Sequence, residues 1–209
     1  MSSQKEKMLN GQLYIGNDPE LKNLSRRGRQ LVDQYNSSLH FKEKETLLLL
    51  PKIFKSIGRA SYIEKDLYVD YGSNTSIGDN FYANTRLVLL DVAEINIANN
   101  VLFGPNVSLL TAGHPIDMEI RNEGLEYGLP ITIQDNVWLG GNVVVNPGVT
   151  IGTNSVVGSG AVVTKSIPSN SIAVGNPAKV LRKIDEHDRV LWREKREAYY
   201  SDMRAEKNG

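Results

Sequence analysis

From Ile133 onward an aliphatic residue returns at every sixth position: Ile133, Leu139, Val145, Ile151, Val157 and Val163. With 40% hydrophobic residues in the chain, six hits at one spacing have a chance of about 0.004 per frame, so the repeat outranks any local reading of helices or strands. Four positions after each of these stand Val137, Val143, Val149, Ser155, Ala161 and Ile167, small or aliphatic throughout. Three positions after each stand Asn136, Asn142, Gly148, Asn154, Gly160 and Ser166. Asn and Gly tolerate positive φ, so this column marks corners. A period of six suits neither a helix nor a hairpin. It suits a short strand and a tight turn, three of which close a triangular coil that pairs with the next coil about 4.8 Å away.

The same pattern runs more weakly upstream. Ile77, Ala83 and Leu89 are in phase, with Asn80 at a corner; Ile97, Phe103 and Leu109 follow, with Asn100 and Asn106 at corners. The phase slips by two residues between Leu89 and Ile97. A longer break, TAGHPIDMEIRNEGLEYGLP at 111–130, has no period and carries five charges. Loops of this length inside a compact domain are uncommon and usually functional. Outward positions read Trp138, Val144, Thr150, Val156, Val162 and Pro168. So apolar a column is either ordinary surface valine or a face covered by another subunit, which the reading favours; Trp138 alternatively touches a ligand.

Both flanks change character. Helix-like stretches run through Pro19-Glu20-Leu21, Arg29 to Tyr35 and Lys42 to Ile57. Residues 185–206 lack Gly and Pro, with Asp185 as a cap and a sparse stripe of Val190, Leu191, Ala198 and Met203, which predicts a helix packed along one edge. Residues 130–177 hold two charges, Asp135 and Lys165, whereas 178–209 hold sixteen. The expected organisation is an N-terminal helical segment over 1–60, a hexapeptide-repeat solenoid over 61–184 broken at 111–130, and a charged C-terminal helix over 185–209.

Composition then excludes function classes. Lys and Arg (24) balance Asp and Glu (24), which argues against nucleic acid as a partner. The longest apolar run, Leu47 to Leu50, ends at Pro51, far short of a membrane span. The polar, Lys-rich first ten residues lack a signal-peptide core, so a cytoplasmic location is expected. The absence of cysteine removes disulfides and thiolate catalysis. Of three histidines, His40 and His187 sit in charged surroundings that read as solvated surface. His114 stands before Pro115 in the aperiodic loop, where an imidazole titrating near neutrality suits a general base.

Several blocks carry a resemblance closer than the repeat alone. MLNGQLY (8–14), DPEL (18–21), DYGSN (70–74), NFYAN (80–84), GHP (113–115), NVWLG (136–140), NPGVTIG (146–152) and GNPA (175–178) are similar to the maltose and galactoside O-acetyltransferases among the hexapeptide-repeat acyltransferases, over about residues 5–184. The resemblance implies a left-handed parallel β-helix, mainly β, and acetyl-CoA-dependent O-acetyl transfer to a small sugar of maltose, glucose or galactoside type. It implies a homotrimer with sites shared between neighbours and no required metal.

Residue by residue it makes His114 the base that deprotonates the acceptor hydroxyl for direct attack on the thioester, with Glu126 orienting it. Acceptor contacts fall to Asp18, Asp70, Asn84, Asp91 and Tyr82. Asp18 is equally a helix cap, Asn84 equally a corner residue, and Asp70 equally a pin for the Tyr71-Gly72 turn. Trp138, Gly141 and Ser159 fall near the pantetheine arm, and Thr164, Lys165, Lys179 and Arg182 near the nucleotide. Lys179 and Arg182 equally form a solvated face. Ser25 stands where many relatives carry Arg, which leaves the sugar open. Alternatives are an antibiotic or lipo-oligosaccharide acceptor and a non-catalytic β-helix trimer. A β-helix carbonic anhydrase would need three histidine ligands, and only His114 lies within the repeats.

Overall fold

The computed structural model describes residues 2–38 and 43–207, so the surface reading of His40 lies outside the described residues. Residues 56–174 wind into a three-sided parallel solenoid. Face one stacks Ser56–Ile57, Thr75–Ile77, Ile95–Ile97, Ile131–Ile133 and Thr150–Ile151. Face two stacks Tyr62–Ile63, Tyr82–Ala83, Leu102–Phe103, Trp138–Leu139, Val156–Val157 and Ser171–Val174, closed by antiparallel Lys179–Lys183. Face three stacks Tyr68–Val69, Val88–Leu90, Ser108–Leu110, Val144–Val145 and Val162–Val163.

The hexad columns are the reason. Ile133, Leu139, Val145, Ile151, Val157 and Val163 are all fully buried, one per side of each coil. The second column, Val137 to Ile167, fills the corners from within, and buried Ser155 donates its hydroxyl to the Pro168 carbonyl at 2.9 Å. Asn80, Asn100, Asn106, Asn136, Asn142 and Asn154 all hold φ between 56° and 60°, as the corner column requires. Their amides bridge coils, Asn80 to Asn100 and Asn136 to Asn154, each at 3.0 Å.

The outward column is not one patch. Successive hexads occupy successive sides, so Trp138 and Val156 lie on face two, Val144 and Val162 on face three, and Thr150 on face one. Face two does carry an apolar row in register: Tyr62, Tyr82, Leu102, Trp138, Val156 and Ile172. Trp138 is 52% exposed and Leu102 49%. Face one presents Ser56, Ser76, Asn96, Thr132 and Thr150 instead.

Helices close the first coil. α1 (Gln4–Leu9) carries a Ser3/Glu6 capping box, and α2 (Pro19–Ser37) runs unbroken through the two stretches expected at Pro19–Leu21 and Arg29–Tyr35. The segment read as one helix over Lys42–Ile57 instead contains α3 (Glu43–Leu47) and α4 (Leu50–Ile53) and ends as the first strand, Ser56–Ile57. Pro51 inside a short helix and the β-branched Ile57 explain that switch. Leu50, Ile53, Phe54, Val32 and Tyr35 seal the end of the solenoid core. Asn36 blunts the exposed strand edge by pairing with both the carbonyl (2.8 Å) and the N–H (3.1 Å) of Leu67.

The 111–130 break is ordered. It contains strand Ala112–Gly113, α5 (Met118–Asn122) and strand Leu125–Gly128, which pairs on its other edge with Tyr14–Ile15. At the far end, α6 (Glu186–Lys207) buries no side chain among its described positions. The expected packing along one edge is therefore not found, because Val190, Leu191 and Met203 are too few and too dispersed to seat it. α6 is held at its start, where Arg182 makes a two-pronged pair with Asp188 at 2.6 and 2.7 Å and Asp185 accepts from the Asp188 N–H.

α2 crosses the solenoid at Gly28, where an added Cβ would stand 2.2 Å from the Tyr71 carbonyl oxygen. Gly to Ala inside a helix normally gains about 1 kcal/mol. Here the methyl meets backbone rather than a movable side chain, and overpacking of that kind costs about 1–3 kcal/mol. Gly28→Ala is thus expected to lower the melting temperature. A thermal melt showing equal or greater stability would mean that α2 does not approach Tyr71 this closely.

Candidate functional site

All extra residues of the solenoid leave it at one corner, between face three and face one. From Val69 to Ile77 and from Leu89 to Ile97 the inward step is eight residues instead of six, and the third coil expels 111–130 there. α2 lies over the same corner. Together they enclose a cleft of about 750 Å³ whose wall includes His114, Asp70, Glu126, Tyr14, Arg29 and Tyr71. Of the residues read as functional from sequence, the structure brings His114, Asp70 and Glu126 together. Ser25 also lines the cleft, beside Arg26.

Asp91 builds the floor and is not an acceptor contact. It is fully buried, and its oxygens accept from the N–H groups of Tyr71 (2.8 Å), Gly72 (3.1 Å) and Asn74 (3.2 Å) and from the Thr75 hydroxyl (3.1 Å). Burial pushes its carboxyl up to about 6 against the pull of those donors. Its work is to hold the Asp70-Tyr71-Gly72 turn, with Gly72 at φ 73°. Asp18 likewise is the N-cap of α2, its Oδ1 accepting from Glu20 and Leu21 N–H. It does not line the cleft.

Asp70 pairs with Arg29 at 2.9 Å, and the Arg29 guanidinium lies 5.4 Å from the Tyr68 ring centroid. Burial raises the Asp70 carboxyl above its ordinary range, Arg29 opposes the rise, and the nearby Glu126 adds to it. Glu126 does not orient His114: its Oε2 accepts from the Tyr14 hydroxyl at 2.8 Å. Among the described residues the His114 imidazole has no hydrogen-bond partner. Tyr14 and Arg29 escaped the sequence reading. An exposed-looking arginine on a helix and a tyrosine in a two-residue strand give no signal of their own; only the pairings across the cleft mark them.

The remaining candidates lie elsewhere. Asn84 sits at the corner between faces two and three, its side chain accepting from the Thr85 N–H. Gly141 and Ser159 stand at that corner in later coils, Gly160 donating to the Gly141 carbonyl at 2.8 Å. A Cβ on Gly140 would be 2.6 Å from the Ser159 hydroxyl, so the coils abut with no side chain between them. Tyr82 stacks on Tyr62, centroids 6.2 Å apart, in the same row as Trp138. Thr164 and Lys165 are exposed in the last coil, and Lys179 begins the closing strand. Arg182, read as a nucleotide contact, pairs with Asp188, each holding the other in its charged form. No cluster of three metal-ligating side chains occurs among the described residues, and no described helix is long and apolar enough to cross a membrane.

Comparison with known proteins gives two family matches. Residues 7–58 match the maltose acetyltransferase hexapeptide capping motif, and residues 130–165 match the bacterial transferase hexapeptide of six repeats. The galactoside O-acetyltransferase of Escherichia coli strain K12 is 42% identical over 184 residues, 88% of this chain and 91% of that one. The crystal structure of a maltose O-acetyltransferase from Clostridium difficile 630 superposes with a TM-score of 0.87 at 44% identity, over 88% of this chain and 98% of that one. A galactoside acetyltransferase in complex with coenzyme A gives 0.88 at 41% identity, over 90% and 94%. The solenoid is therefore the expected left-handed parallel β-helix.

Asp91→Asn tests the floor. The amide keeps the shape but sets its own donors against three N–H groups and a hydroxyl, and unmet buried partners of this kind cost about 1–3 kcal/mol. A clear drop in melting temperature is expected. Unchanged stability with a raised acceptor KM would return Asp91 to substrate binding.

Proposed function

The chain belongs to the maltose and galactoside O-acetyltransferase group of hexapeptide-repeat acyltransferases and is an acyltransferase; on that premise we propose that it transfers acetyl from acetyl-CoA to a hydroxyl of a small sugar, with His114 as the general base. The observation that carries this reading is the cleft itself. One unpaired imidazole stands with two carboxylates, Asp70 and Glu126, and with Arg29 and Tyr71. Groups of fixed geometry that accept and donate hydrogen bonds suit a polyhydroxylated ligand.

The acceptor hydroxyl attacks the thioester carbonyl carbon as His114 takes its proton. The carbon–sulfur bond breaks, and the departing CoA sulfur recovers a proton. Asp70, held in place by Arg29, accepts from a second hydroxyl and so aligns the acceptor. Transfer is direct, without an acyl-enzyme.

Acetyl-CoA requires a second surface, and Asn84, Trp138, Gly141 and Ser159 are grouped away from the cleft, around face two and its far corner. We read the working enzyme as a homotrimer in which the cleft of one subunit faces these residues of the next. The row of half-buried Tyr82 and exposed Leu102 and Trp138 supports this, as a surface that a second copy would cover. Lys165 and Lys179 remain as phosphate contacts.

Acetyl-CoA consumption measured across maltose, glucosides, galactosides and free hexoses tests the reading and names the sugar. His114→Ala should lower kcat by roughly 10²–10⁴-fold, the usual share of a positioned base, with the acetyl-CoA KM nearly unchanged. Near-normal turnover in that variant would take His114 out of the mechanism. Light scattering of the active enzyme should return three times the chain mass of 23.2 kDa; a fully active monomer would refute the shared site.

A further inference from the structure

The antiparallel register between Tyr14–Ile15 and Leu125–Gly128 sets Tyr14 directly opposite Glu126. Tyr14 is 1% exposed, and its hydroxyl donates to Glu126 Oε2 at 2.8 Å. Burial and the neighbouring carboxylates hold the Tyr14 hydroxyl far above the ordinary tyrosine range, so it remains a donor at any working pH. Among the described residues Glu126 has no cation partner. Two residues on, Gly16 lines the same cleft. A Cβ there would lie 2.9 Å from Glu126 Oε1 and 3.2 Å from Oε2. Gly16 is not among the glycines with positive φ, so its backbone does not demand glycine. What glycine supplies is space over Oε1. A mobile glutamate would swing away from a methyl group at little cost, but a glutamate tied to Tyr14 must give up that bond to do so.

We propose that Tyr14 is a positioning residue and Gly16 a specificity-determining one. Tyr14 fixes Oε2, and Gly16 leaves Oε1 open to accept a hydrogen bond from an acceptor hydroxyl other than the one acetylated. The acceptor is then a polyol with a hydroxyl that reaches Oε1, and an analogue lacking that hydroxyl loses the contact. The inference rests on the reading of the cleft as the sugar site.

The test is steady-state kinetics of the full-length enzyme, Tyr14→Phe, Gly16→Ala and the double variant. Acetyl-CoA is the donor, the best sugar of the panel and its monodeoxy analogues are the acceptors, and melting temperatures are taken alongside. Each single variant should raise the acceptor KM about tenfold, the loss of one hydrogen bond to a charged group. The acetyl-CoA KM should hold steady, and Gly16→Ala should melt no lower than Tyr14→Phe, since both lose the same Tyr14–Glu126 bond. One monodeoxy analogue should already be poor with the wild type and little worse with the variants. The double variant should fall short of the product of the single effects, because Glu126 freed from Tyr14 can yield to the new methyl.

Unchanged acceptor KM in both single variants, or effects that multiply, would overturn the inference alone. So would both KM values rising together with a lower melting temperature. A wild type that acetylates no sugar would overturn the sugar reading and this inference with it.

Discussion

Backbone pairing between successive coils leaves no place for an extra residue along any strand. Each strand is only two or three residues long over most of the solenoid and bonds to the coil above and the coil below. An added residue would turn an inward valine outward and break both ladders. Insertions must therefore leave at corners, and in this chain they leave at one. The eight-residue steps after Val69 and Leu89 and the excursion 111–130 stack at the same edge, and α2 closes over them through the contact at Gly28. The cleft is a consequence of that stacking. Asp91 makes it rigid, because one buried carboxylate gathers the N–H groups of a turn that the β-ladder cannot satisfy.

A rigid edge lets the cleft keep two carboxylates close together. Asp70 feels the charge of Glu126, and the two carboxylates have different partners. Asp70 has Arg29, itself stacked near Tyr68. Glu126 has the Tyr14 hydroxyl, a donor without charge. Asp70 and Glu126 both line the cavity, and His114 is hydrogen-bonded to neither.

The solenoid was legible in the sequence because its physics is local and periodic. Inward aliphatics, corner asparagines and the slip after Leu89 all lie within a few residues of one another. Where an expectation failed, the missing knowledge was of partners distant in sequence. Asp18, Asp91 and Arg182 have the chemistry of ligand-binding groups, but each is consumed by the protein: a helix cap, a turn and an ion pair with Asp188. Tyr14 was invisible because its partner lies 112 residues away. The outward column misled for a geometric reason: six residues advance the chain by one face, so residues six apart share a role but not a surface.

That geometry also decides what a single chain can do. The cleft lies where face three meets face one, while Asn84, Gly141 and Ser159 lie where face two meets face three. A solid core of fully buried aliphatics fills the space between those corners, and no substrate passes through it. A thioester laid along the glycine-lined corner and a hydroxyl held beside His114 cannot meet on one copy unless the donor wraps around the solenoid. In the proposed trimer a second copy set with its far corner against the first copy's cleft would remove the difficulty, with the apolar row on face two as the surface that holds it. On the proposed reading self-association belongs to the chemistry before it belongs to stability: Leu50, Ile53 and Phe54 already seal one end of the core, and it is the reaction that would call for a neighbour.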